Sequence, residues 1–104
     1  MTEPFSDDAL HAIEHRLRAV STIAPPPWRP WLETRQGIGG SSFVQFDGDP
    51  DVDCEMYLTV ELGPEQLRSP DPRLDLIVDF LGNAAGDIEQ LIAEVRRLRD
   101  AASR

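Results

Sequence analysis

One short run in this chain has the residue types of a catalytic metal site. His11-Ala12-Ile13-Glu14-His15 matches H-x-x-E-H, in which two histidines one helical turn apart hold zinc and the glutamate moves a proton. Catalytic zinc also needs a third protein ligand, a cleft and an open position. The helix that carries the motif has its apolar side at Leu10, Ile13, Leu17 and Val20, roughly opposite the histidines. The motif therefore reads as a solvated face, and no metal is expected there. A second run, Asp47-Gly48-Asp49-Pro50-Asp51-Val52-Asp53, sets four carboxylates at alternate positions, which suits the oxygen chemistry of calcium. The calcium-loop pattern fails in either register. Val52 or Cys54 stands where it needs glycine, and Leu58 or Val60 where it needs glutamate. An acidic hairpin loop is the reading that remains.

Gly37-Ile38-Gly39-Gly40, followed by Ser41 and Ser42, has the form of a phosphate cradle. It lacks a lysine and leads into a strand, so neither nucleotide fingerprint is met. Cys54 has no histidine partner and alternates with an apolar face, which suits a buried and inert thiol. No serine, histidine and acid set can be assembled. The sequence thus predicts no catalytic residue, no metal and no cofactor, and a protein that is not an enzyme.

Charge gives a more specific lead. The 104 residues carry a formal charge of −9, and all ten basic residues are arginine. Nucleic acid is not an expected partner, because phosphate binding needs clustered positive charge. An acidic field favours a basic protein surface. From Gln36 to Leu67 there is no arginine, lysine or histidine, yet the tract holds Asp47, Asp49, Asp51, Asp53, Glu55, Glu61 and Glu65. Seven unneutralised acids repel one another, and a basic partner relieves that repulsion. Trp28 and Trp31 follow the triple proline at odd spacing, which puts them on opposite faces of an extended segment. One enters the core, and the other, Trp31, is left as an interface anchor. The expected partner-binding residues are Trp31 with Asp47, Asp49, Asp51, Asp53, Glu55 and Glu61.

These residues need elements to hold them. Ser6 caps a helix whose first turn holds Asp7 and Asp8, with Phe5 and Leu10 placed as a hydrophobic staple. Pro25-Pro26-Pro27 closes it. Three strands follow, at 28–35, 41–47 and 54–62. The last alternates Cys54, Met56, Leu58, Val60 and Leu62 with Glu55, Tyr57, Thr59 and Glu61, so one face is buried and the other wet. Residues 63–71 read as a loop. Asp71-Pro72 starts a long helix to about Ala101. Leu74, Leu81, Ile88 and Val95 repeat every seven residues, interleaved with Ile77, Ala84, Leu91 and Leu98. Gly82 and Gly86 interrupt this seam and predict a kink or a split near 82–86. The expectation is one α+β domain over 1–104, ordered α-β-β-β-α, with a three-stranded antiparallel sheet and both helices packed on one face. Surplus apolar positions in the C-terminal half leave room for a homodimer along that helix. No apolar run reaches membrane-spanning length, the start at Met1-Thr2-Glu3-Pro4 lacks a signal sequence, and the lone cysteine suits a reducing compartment. A cytoplasmic location is expected.

The punctuation of the chain resembles that of a widespread group of short bacterial and phage-borne proteins. The pieces that carry the likeness are Ala24-Pro25-Pro26-Pro27-Trp28, then Ser41-Ser42-Phe43-Val44, then Asp79-Phe80-Leu81-Gly82-Asn83-Ala84. The leucine-rich stretch from Asp87 to Arg99 completes it. Pro26 stands where the group often has glycine. The resemblance implies a fold and transfers no catalytic residue; some members look like immunity-type inhibitors. The functional expectation is a small acidic protein-binding module, such as an immunity-type inhibitor of a basic toxin or nuclease. The alternative is a phage or mobile-element accessory protein that binds a small ligand or self-associates through its C-terminal helix.

Overall fold

The computed structural model describes residues 5–37, 39–48 and 51–103. The chain opens with helix α1 (Asp7–Ser21) and passes through strand β1 (Arg29–Trp31) and a single helical turn α2 (Glu33–Gln36). Strands β2 (Phe43–Gln45), β3 (Glu55–Met56), β4 (Val60–Leu62) and β5 (Glu65–Leu67) follow, and helix α3 (Pro72–Ala102) closes the chain. The architecture is α+β, with a three-stranded antiparallel sheet ordered β1-β2-β3 and a separate β4-β5 hairpin.

Local chemistry sets the helix starts. The Ser6 hydroxyl accepts the Ala9 amide at 3.1 Å, and Asp71 accepts the Arg73 amide at 2.9 Å with Pro72 in the first turn. Each satisfies an amide that the helix itself leaves unpaired. Turn α2 ends at Gly37, whose φ of 60° is left-handed and suits a residue without a Cβ.

The sheet's inner face carries Pro30, Val44 and Met56, which share one register. Val44 joins Leu32, Leu67, Leu74 and Val78 in the buried core, with Trp28, Phe46, Leu58 and Leu81 packed around it. Helix α3 lies against β1 and β2, and α1 lies along the C-terminal half of α3. Arg96 reaches Glu14 at 2.8 Å, and Arg99 pairs with Asp7 and with the Phe5 carbonyl, which fixes α1 antiparallel to α3.

Several sequence expectations change. The strand expected at 54–62 divides into β3 and β4, because β4 pairs with β5 inside the stretch expected to be a loop. That pairing buries Leu67, a core residue the loop reading overlooked. The strand expected at 28–35 stops at Trp31 and turns into α2. Helix α1 rests on α3, whereas both helices were expected to pack on the sheet. Helix α3 is not split: it runs 31 residues through both glycines. Gly82 is a packing point, since a Cβ there would sit 2.5 Å from Pro30 Cβ. The buried side of α3 is also rotated from the expected seam, to Leu74, Val78, Gly82, Ala85 and Ile92, leaving Leu91 and Leu98 exposed.

Candidate functional site

Strand alternation puts the second set of side chains on the sheet's outer face. Arg29, Gln45 and Glu55 share one register, and Trp31 and Phe43 pair in the next outward one. Tyr57 continues the alternation from Glu55 and stacks on Phe43, with ring centroids 5.3 Å apart. The result is an aromatic row, Trp31, Phe43 and Tyr57, on the face turned away from α3. Polar neighbours hold it in place. The Trp31 indole donates to Gln45 Oε1 at 3.0 Å, and the Tyr57 hydroxyl donates to Glu55 Oε2 at 2.6 Å. That bond, helped by the charges of Glu55 and Asp53, raises the Tyr57 phenol above its ordinary 10.

The acidic rim lies at one end of this row. Asp47, Asp53 and Glu55 line a hollow of about 280 Å³ beside the sheet, together with Arg29 and Gln45. Trp28, by contrast, packs inward: its indole bonds the Ala24 carbonyl at 2.8 Å and its ring meets Phe46 at 5.2 Å.

Of the residues expected to bind a partner, Trp31, Asp47, Asp53 and Glu55 come together on this face and its rim. Asp51 lies in the exposed turn between β2 and β3, and Asp49 lies outside the described residues. Glu61 sits on β4, in the other sheet, opposite Gln66. The tract is also less uniform than its sequence suggests. Glu65 and Asp71 both pair with Arg73, which holds both carboxyls below their ordinary values. Arginine eight residues downstream therefore neutralises an acid expected to stand unpaired. The chain matches no family model, no curated protein and no solved structure. The geometry alone carries the functional argument.

Sequence reasoning overlooked Phe43, Tyr57 and Gln45. The signal was present: both aromatics fall at the wet positions of their strands, where an apolar ring needs a reason.

The motifs with catalytic overtones find structural uses. Glu14 accepts Arg96 at 2.8 Å and Arg18 at 3.2 Å, so it ties α1 to α3 while His11 and His15 stay exposed. Among the described residues no group of histidine, cysteine and carboxylate side chains is placed to hold a metal. In the glycine loop, the amides of Gly39 and Gly40 donate to Glu33 Oε2 at 2.8 and 3.3 Å. A carboxylate of the chain itself thus takes the place a phosphate would need. Among the described residues Asp75 is the one buried carboxylate, 3% exposed, and it accepts the Thr34 amide at 2.9 Å and the hydroxyls of Thr34 and Ser42. Burial pushes its carboxyl up, but these hydrogen bonds, with Arg35 nearby, outweigh it and hold it below 3.8. Ser42 also accepts the Glu33 amide at 2.9 Å, so the cluster joins α2, β2 and α3.

Proposed function

We propose that this chain is an acidic protein-binding module of the immunity type, docking a basic protein on the outer face of its sheet in the cytoplasm. The observation that carries the reading is the coincidence on one face of the aromatic row Trp31, Phe43 and Tyr57 with the carboxylates of Asp47, Asp53 and Glu55. Aromatic faces attract guanidinium and ammonium groups, and carboxylates pair with them through charged hydrogen bonds. Together they match an arginine-rich or lysine-rich surface. Aromatic side chains are also the usual anchors of protein interfaces. Acids around the anchors steer a basic partner inward and reject acidic ones.

The test is affinity capture from the native host with wild type and with a Trp31→Ala, Asp53→Arg, Glu55→Arg triple variant. A basic protein should be retained by wild type and lost by the variant. Equal retention by both, or no specific protein with either, removes the reading.

A further inference from the structure

The opposite side of the molecule carries an apolar stripe that none of the described residues covers. Along α3, Phe80 is 73% exposed, Leu91 64% and Leu98 53%. Half-buried Ile77, Ala84, Ile88 and Val95 complete the stripe at three- and four-residue spacing. The stripe runs about 30 Å along the helix. Beside Leu91 it opens into a wholly apolar hollow of about 270 Å³ between α1 and α3, lined also by Phe5 and Ile88.

The chain as a whole also exposes more surface than a compact monomer. The chain exposes 7678 Å². A compact monomer of its mass, 11.6 kDa, exposes about 5,800 Å². The surplus, roughly 1,800 Å², lies within the roughly 1,000 to 2,500 Å² that each subunit of an obligate homodimer covers. The radius of gyration says the same: it is 17.1 Å, against about 13 Å for a compact chain of this length.

We infer that the stripe is the interface with a second copy of this chain, α3 against α3 in antiparallel orientation. The stripe is complementary to itself only that way. Phe80 projects from it, and the hollow beside Leu91 lies further along the same helix. A two-fold axis level with residues 85–86, just past Ala84, sets each Phe80 beside Leu91 in the other copy's hollow at once, as a closed isologous contact requires. The small side chain of Ala84 lets the helices approach at the crossing. Such a dimer keeps both acidic sheet faces outward. The inference is independent of the docking reading, since it uses a different face.

Sedimentation equilibrium of the full chain at tens of micromolar should give twice 11.6 kDa. Phe80→Glu and, separately, Leu91→Glu should each return it to the single-chain mass with unchanged far-ultraviolet circular dichroism. Ile23→Glu, at an 85% exposed site on the α1–β1 connection, should stay dimeric. A wild-type chain at single-chain mass overturns the inference, and so does a Phe80→Glu chain that remains folded and dimeric. If both glutamate variants lose helix, a disulfide formed between copies by Phe80→Cys with Leu91→Cys decides it. Cross-linked dimer supports the antiparallel seating, and its absence overturns it.

Discussion

At the scale of single residues, Asp75 shows how a buried charge is made tolerable. A lone carboxylate at its depth would be driven to its neutral form. The hydroxyls of Ser42 and Thr34 and one backbone amide supply the donors that keep it ionised. Because its folded pKa lies below the unfolded value of 3.8, its contribution to stability is present above pH 3.8 and is lost as pH falls through the folded value. Asp75→Asn should therefore cost about 2 kcal/mol at neutral pH, by placing an amide donor against donors. The gap to wild type in urea denaturation should narrow below pH 3.8. Parallel pH profiles for the two proteins would refute this account of the cluster. Tyr57 offers a second residue-scale test on the outer face. It is the only tyrosine, so its phenol can be titrated by ultraviolet absorbance without overlap. Wild type should ionise above the ordinary 10, and Glu55→Gln should bring the transition back toward it, since the largest cause is the bond to Glu55. A transition unmoved by the substitution would mean that Glu55 does not hold the ring.

At the scale of elements, the contact between α3 and β1 explains the glycine at position 82 of the helix. A Cβ at position 82 would lie 2.5 Å from Pro30 Cβ and 2.8 Å from the Pro30 nitrogen. Backbone atoms there cannot step aside, so Gly82→Ala should destabilise by about 1 to 3 kcal/mol despite alanine's better helix propensity. Nothing lies within 4 Å of the equivalent atom at position 86. Gly86→Ala should stabilise by up to about 1 kcal/mol. Chemical denaturation of the two variants should thus give opposite signs, and a shared sign would contradict the packing described. The same contact explains why α3 stays one helix instead of splitting in two. Helix propensity disfavours glycine by about 1 kcal/mol, whereas packing along 31 residues of helix outweighs it.

At the scale of the whole molecule, the layers separate two kinds of surface. The acidic aromatic face lies on one side of the sheet and the apolar stripe of α3 on the other. Their dependence on salt should differ in sign. Raising NaCl from about 0.05 to about 0.5 M screens attraction between the acidic face and a basic partner, and should slow association and weaken binding. The same change screens repulsion between two copies that each carry −9, and should tighten self-association measured by sedimentation. A shared trend would place both interactions on one surface.

Much of the local structure was legible in the sequence because its causes are local. Ser6, the proline triplet and Asp71-Pro72 mark helix boundaries through capping and missing donors, which neighbouring residues alone decide. Strand alternation likewise assigned Trp31 and Glu55 to one side and Val44 and Met56 to the other before any pairing was known. Charge could locate the acidic tract but not its neutralisation, because Arg73 reaches Glu65 across a turn whose shape is tertiary. Which side of α3 is buried was also beyond the sequence. Two apolar stripes run along that helix, and the packing of Gly82 on Pro30 and of Leu74 and Val78 in the core chooses between them. Sequence determined the two long helices, the wet and dry sides of the three-stranded sheet and the position of the acidic loop. Tertiary structure decided which helix face meets the sheet, and so which apolar stripe is left for a second chain.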